Sequence, residues 1–294
     1  MTTYTEQYKK YSQLVEEALQ SCIPEGNCAQ KNVEDAMRYS LLGGGKRLRG
    51  VLVLAFNELC GGKLNEALPF ACAIEMVHAY SLIHDDLPCM DNDVLRRGKP
   101  TCHIRYGEAI ALLAGDGLLT KAFEMICEAP SLSDHCRCKA AATLAAAAGT
   151  KGMIGGQVID IESEGSNIST PLLDTLHSLK TGALIRAAAA LGCISANADA
   201  TVAAGADHFA AILGLIFQIV DDILDVTSST EELGKSIGSD AENGKMTYAT
   251  LYGIDGSKRI VSELTPQAKA ALSIVQADNS FLCSLVDSMA VRTK

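Results

Sequence analysis

The sequence predicts an all-helical fold, on three observations. Apolar residues recur at three- and four-residue spacing through most of the 294-residue chain, alternating β-type runs are almost absent, and short Gly- or Pro-marked breaks separate the periodic stretches. No linker or composition break divides residues 1–294, so a single domain is expected. Apolar residues make up 48% of the chain, enough for a substantial buried core.

Taken in order, the first twenty residues are polar and amphipathic, with neither an apolar signal core nor an Arg/Ser-rich transit character. A cytoplasmic protein is the expectation. Breaks fall at Pro24-Glu25-Gly26, Gly43-Gly44-Gly45, Gly61-Gly62, Arg97-Gly98-Lys99-Pro100, Ala129-Pro130 and Gly165-Ser166-Asn167. Between them the periodicity predicts a helix starting near Arg47 and further helices over 66–86, 108–127, 134–149, 171–191 and 198–224. Stretches rich in Ala and Gly, such as 140–148 and 187–192, allow close helix approach, and the short connections predict antiparallel packing. The apolar run 209–220 is too short to span a bilayer, so no transmembrane segment is expected.

A net charge of −10 argues against a nucleic-acid surface. Eleven cysteines, scattered and mostly within apolar helical sequence, read as small buried hydrophobes in a reducing compartment. His135-Cys136-Arg137-Cys138 lacks the second ligand pair of a zinc site.

Two aspartate clusters carry the chemistry. In Asp221-Asp222-Ile223-Leu224-Asp225, Asp221 and Asp225 are four apart and share a helix face, where both can address one hard divalent cation. Three acids ending an apolar helix also oppose its dipole, so a mere solvated helix end is the poorer reading. In Asp85-Asp86-Leu87-Pro88-Cys89-Met90-Asp91 the outer aspartates are six apart, about 120° round a regular helix. Pro88 disfavours helix at Leu87, so the spacer is expected to bulge and swing Asp91 back toward Asp85.

Cations flank both clusters: Arg96 and Arg97 after the first, Lys235 and Lys245 after the second. Gly43-Gly44-Gly45-Lys46-Arg47-Leu48-Arg49 sets a glycine loop before a helix, an arrangement that offers backbone N–H groups, Lys46 and Arg49 to a phosphate. It is not a P-loop, because Arg rather than Ser or Thr follows Lys. His78 lies on the apolar helix before the first cluster, Gln218 shares the face of Asp221, and Gly182 in Lys180-Thr181-Gly182 can loosen its helix and free a carbonyl.

Together these residues resemble the trans-isoprenyl diphosphate synthase family, and closely its bacterial farnesyl diphosphate synthase branch. The match runs from GGGKRLRG through HAYSLIHDDLPCMDNDVLRRGKPTCH, GDGLLTKAFE, GGQVIDI and LKTGALI to FQIVDDILDV and EELGKSIGSDAENGKMTY. The resemblance implies a helical bundle around a deep central cavity, as a homodimer. It implies Mg²⁺, three ions with substrate bound, at Asp85, Asp86 and Asp91 on one side and Asp221, Asp222 and Asp225 on the other. Arg96, Lys180, Thr181, Gln218 and Lys235, with Lys245 adjoining, are the implied allylic-diphosphate contacts. Gly45, Lys46, Arg49, His78 and Arg97 are the implied isopentenyl diphosphate site. The implied reaction is ionisation of dimethylallyl or geranyl diphosphate, attack by isopentenyl diphosphate and proton loss to the released diphosphate, with Asp85, Asp86, Asp91, Lys180, Thr181, Gln218, Asp221 and Lys235 as its catalytic set.

In this family bulky residues just before the first cluster floor the cavity, and here Tyr80 and Ser81 hold those places. Tyr80 is about 7.5 Å deeper along a helix than Asp85, which suggests a C15 product, farnesyl diphosphate; C20 and C10 are alternatives, because Tyr80 lies about 140° round from Asp85 and small Ser81 nearer its face. A class I terpene cyclase fits less well, since the second motif is Asp-Asp-x-x-Asp followed by Lys235. An inactive regulatory subunit would be expected to lose one of the two motifs.

Overall fold

The computed structural model describes residues 3–227 and 246–292. Helix α1 (Tyr4–Cys22) opens with a capping box in which the Thr3 side chain accepts from the Glu6 N–H while Glu6 returns a bond to the Thr3 N–H. Its buried stripe of Tyr11, Val15, Leu19 and Cys22 has helical spacing and packs toward α3 (Leu48–Leu59) and α4 (Leu64–Asp85), with α2 (Lys31–Leu41) between α1 and α3 in sequence. Next come a two-residue hairpin, β1 (Leu95–Arg96) and β2 (Lys99–Pro100), then α5 (Cys102–Tyr106), α6 (Glu108–Cys127), α7 (Asp134–Ala148), α8 (Met153–Glu162) and α9 (Thr170–His177). A π-helical turn (Ser178–Gly182) leads into α10 (Ala183–Ser195), followed by α11 (Ala200–Thr227), α12 (Tyr248–Ala271) and α13 (Ser280–Ala290).

The expected helices are all present, and α6 has its expected bounds. The helix expected over 171–191 is three segments, because the Lys180-Thr181-Gly182 stretch winds as a π turn rather than merely kinking. The expected break at 97–100 is the tip of this hairpin: Arg97 and Gly98 both have positive φ, 54° and 72°, the geometry of a type I′ turn.

Helix α10 is the hub, packing on α3, α4, α7 and α11 in one contiguous apolar core. Its Ala- and Gly-rich face matters: a Cβ on Gly192 would lie 2.5 Å from the Val53 carbonyl oxygen, so α3 and α10 meet at backbone contact. Gly214 of α11 likewise sits with its Cβ position 3.1 Å from Gly182, bringing the second aspartate helix against the π turn. Helix α4 is long and apolar enough to cross a membrane by length and composition, but 67% of that window is buried among its neighbours. Of the eleven cysteines, all free, only Cys22, Cys72, Cys102 and Cys193 are buried, while Cys89, Cys127 and Cys138 are exposed. That corrects the expectation of mainly interior cysteines; the exposed ones sit in a loop, at a helix end and on the outer face of α7.

Candidate active site

The first aspartate cluster ends α4. Leu87 donates to the His84 carbonyl at 3.1 Å, Met90 and Asn92 donate to the Leu87 carbonyl at 2.8 and 3.1 Å, and the Asp91 N–H returns to the Asp85 carbonyl at 2.9 Å. The spacer therefore doubles back as Pro88 demands, and Asp91 ends beside Asp85. Asp85 is partly buried, and its carboxyl is pushed up to about 6, first by desolvation and then by the charges of Asp91 and Asp86, against the opposing pull of Lys180 and Arg96.

Asp86 is different. It is 3% exposed and engaged by Arg96, whose Nε donates to Oδ1 at 2.7 Å and whose Nη2 lies at 2.5 Å. Arg96 also reaches Asp93 at 3.5 Å. Asp86 is the C-cap of α4, and its charge positions Arg96 through Oδ1.

The glycine loop carries the cations opposite. Gly44 and Gly45 have φ of 93° and 128°, and Arg47, at 52°, caps α3. A Cβ on Gly45 would strike the Arg97 guanidinium at 2.8 Å, so glycine there lets Arg97 fold down and donate to the Gly44 carbonyl. Arg47 itself is buried and structural: it donates to Glu16 at 2.5 Å and to the Leu41 carbonyl at 2.7 Å, and lies 3.7 Å from Glu75. Arg49 keeps a buried Nε without a partner and is held below its ordinary value by burial, with Arg97 adding repulsion. Burial likewise lowers Lys46, with Arg292 opposing and Asp221 favouring its charge. His78 is pushed well below its usual range, first by burial and then by Arg49, Arg97, Arg96 and Arg47. It is a neutral imidazole amid guanidiniums, with the buried Glu75 carboxylate beside Arg47 and Arg49.

The second cluster ends α11. Asp221 is partly exposed and pairs with Arg292, which also donates to the Phe217 carbonyl at 3.1 Å and stacks 4.2 Å from the Phe217 ring centre. Asp225 is buried, and its Oδ1 has no partner among the described residues. Asp222 faces elsewhere: it accepts from Gln218 Nε2 at 2.9 Å and from the Tyr248 N–H at 2.8 Å, with neutral His177 at 4.0 Å. Burial takes His177 down to about 4, so no ion pair forms there at neutral pH. One position on from Asp221, Asp222 is about 100° round the helix.

What Asp222 does is orient Gln218. A carboxylate only accepts, so the Gln218 amide must present Nε2 to it and Oε1 the other way, where Thr181 Oγ1 donates at 2.8 Å. Lys180, on the π turn, pairs with Asp160 of α8 at 2.5 Å. A Cβ on Gly156 would fall 2.2 Å from the Lys180 backbone nitrogen, which is why Gly155-Gly156 precedes Asp160: α8 must touch the π turn. Tyr80 is 5% exposed, packs edge to face on His84 at 5.6 Å and has an unpartnered hydroxyl, while Ser81 donates to the His78 carbonyl at 2.9 Å. Lys235 and Lys245 lie outside the described residues.

Sequence reasoning missed Asp160, Glu75 and Arg292. Asp160 had a signal, the glycine pair before it; Arg292 had none, being 71 residues from Asp221. The donors fit a hard divalent cation. They are all carboxylate oxygens, Asp225 Oδ1 is buried without a partner among the described residues, and desolvated Asp85 beside Asp91 is short of positive charge. Among the described residues no three His, Cys, Asp or Glu side chains converge, so each ion would have one or two carboxylates, the number Mg²⁺ takes when phosphates complete its shell.

The family model for polyprenyl synthetases matches residues 30–278. The large subunit 1 of a heterodimeric chloroplastic geranylgeranyl pyrophosphate synthase from Arabidopsis thaliana is 46% identical over 267 residues, 89% of this chain and 71% of its own length. Among solved structures, an FPP/GFPP synthase from Zymomonas mobilis superposes with a TM-score of 0.88 at 34% identity, covering 98% of this chain and all of the other. A geranyltransferase from Helicobacter pylori, complexed with magnesium and isoprenyl diphosphate, gives 0.86 at 31% identity, covering 98% and 97%.

Proposed function

Since this chain belongs to the polyprenyl synthetase family and is a prenyl diphosphate synthase, we propose that it condenses isopentenyl diphosphate head to tail with dimethylallyl and then geranyl diphosphate, stopping at C15. The observation that carries the condensation is the pairing of two separate cation sets with two carboxylate sets. Arg49 and Arg97 stand beside neutral His78, with buried Glu75 already paired to Arg47, and Lys46 lies on the adjoining glycine loop; this is the acceptor site. Lys180 and Arg96 stand beside Asp85, and this is the allylic site. Bound Mg²⁺ supplies the positive charge that lets the allylic diphosphate leave. The residues do the rest: Asp85, Asp91, Asp221 and Asp225 hold the ions, Lys180 and Arg96 take the leaving diphosphate, and Thr181 with the Gln218 Oε1 turns oxygen dipoles toward the allylic cation. Asp222 keeps that amide from flipping.

The C15 stop rests on Tyr80. Its ring is buried one turn and a half below Asp85, close enough for that carboxylate to add to the rise in its phenol, and its buried hydroxyl has no partner among the described residues. A C20 product is the second reading, favoured by relatives named geranylgeranyl diphosphate synthases at 46–48% identity and by Ser81, which is small on the Asp85 face. These relatives support C20 better than C15, which rests on Tyr80 alone. Product chromatography with labelled isopentenyl diphosphate separates the two: C15 from wild type and longer chains from Tyr80→Ala support the floor, whereas C20 from wild type, unchanged in Tyr80→Ala, sinks it.

A homodimer and a cytoplasmic location complete the proposal. Ile104 of α5 and Leu112 and Leu113 of α6 are exposed apolar residues on adjacent helices, which favours association through that face. Sedimentation at a monomer mass, or fractionation with an organelle, would overturn the respective part.

A further inference from the structure

Away from the diphosphate cleft, the C-terminal ends of α3 and α10 hold two thiols in contact. Cys60, the C-cap of α3, and Cys193 of α10 share a sulfur hydrogen bond at 4.0 Å across 133 residues of sequence. The surroundings fix this contact. Gly192 brings the two backbones together, Asn57 Nδ2 donates to Ser195 Oγ at 2.8 Å, and the Cβ position of Gly62 meets both Asn57 and Ala196. A disulfide needs the sulfurs at about 2.05 Å, so they must close by roughly 2 Å. Access is unequal: Cys60 is partly exposed, whereas Cys193 is 3% exposed.

We propose that Cys60 and Cys193 form a redox-active dithiol, a modification site that low-molecular-weight disulfides such as glutathione disulfide convert to an intramolecular disulfide stapling α3 to α10. The exchange is balanced. The Cys60 thiolate attacks one sulfur of glutathione disulfide, forming a mixed disulfide and releasing one glutathione thiolate, which takes up the Cys60 proton. The Cys193 thiolate then attacks the Cys60 sulfur and expels the second glutathione, which takes up the Cys193 proton. The protein dithiol is oxidised by two electrons and the small disulfide is reduced to two thiols. The entry and resolving roles follow from exposure. They also agree with the thiol acidities: the Cys193 sulfur holds Cys60 below its ordinary value, against burial and the charge of Asp199. Cys193 is raised by its hydrogen bond to Cys60 and by burial, with Lys139 opposing. Helix α3 is twelve residues long, and Arg49 lies near its other end, about 16 Å from Cys60, so the staple acts on stability rather than on chemistry.

The test incubates the purified full chain with glutathione disulfide, alkylates remaining thiols and maps tryptic peptides without reduction. The expected result is a Cys60–Cys193 cross-linked peptide that dithiothreitol reverses, with the unfolding midpoint raised by about 5 °C. Cys60→Ser should abolish the cross-link, Cys193→Ala should accumulate glutathione on Cys60, and Cys22→Ser should leave the cross-link in place. Wild-type Cys60 recovered only as a glutathione adduct, or Cys193 recovered alkylated after full oxidation, would overturn the proposal, and that readout needs no variant to fold.

Discussion

Asp85→Asn should make the metal-free protein more stable while removing its activity. In the folded chain the Asp85 carboxyl titrates at about 6 against an ordinary 3.8. Below 3.8 it is protonated in both states and does not affect stability. Between 3.8 and 6 the unfolded chain gives up a proton that the folded chain retains, so stability falls as pH rises, and the loss is complete above the folded value. The full difference is roughly 3 kcal/mol at 1.36 kcal/mol per pH unit, reduced to about half by solvent screening at a partly exposed site. Urea unfolding in a chelator at pH 4, 6 and 8 measures it. The variant should match wild type at pH 4 within the change of side chain and exceed it by about 1.5 kcal/mol at pH 8. Adding Mg²⁺ at pH 8 should stabilise wild type more than the variant. A stability difference between the two that does not change from pH 4 to pH 8 would show that Asp85 is not a desolvated carboxylate awaiting a cation.

Other substitutions probe the supports. Arg47→Ala leaves buried Glu75 and half-buried Glu16 unpaired and should cost about 3–5 kcal/mol in chemical unfolding, more than an exposed ion pair such as Arg186 with Asp207 can. Gly156→Ala places a methyl 2.2 Å from the Lys180 nitrogen; a loss of about 1–3 kcal/mol in thermal unfolding, together with weaker allylic-diphosphate binding by titration calorimetry, is expected. Gln218→Glu sets a second carboxylate against Asp222, and a fall in kcat of about 100-fold or more with helical circular dichroism unchanged is the expected result. Gln218→Glu activity near wild type would remove the amide from the chemistry.

What the sequence made legible was whatever local periodicity and stereochemistry dictate. The helix spacing of Asp221 and Asp225 needs only 3.6 residues per turn, and the return of Asp91 to Asp85 needs only Pro88; both are in the structure. The π turn was half legible, because Gly182 signals a weak point in a helix but not which winding replaces it. What escaped were pairings between distant elements. Arg96 comes back over Asp86 on the hairpin, and the N-terminus of α12 donates to Asp222, partners that lie outside either motif's local spacing. Arg292 reaches Asp221 only because α13 packs against α11. In each case the residue type was right for a cleft, and tertiary packing decided which partner it took.

The most direct single measurement follows purified protein with Mg²⁺, labelled isopentenyl diphosphate and geranyl diphosphate, counting inorganic diphosphate released against isopentenyl diphosphate consumed. Two separate diphosphate sites require one for one, with the allylic chain grown by five carbons and no loss of geranyl diphosphate when the acceptor is omitted. Geranyl diphosphate consumed equally fast without isopentenyl diphosphate, yielding hydrocarbon, would contradict condensation across the two aspartate clusters.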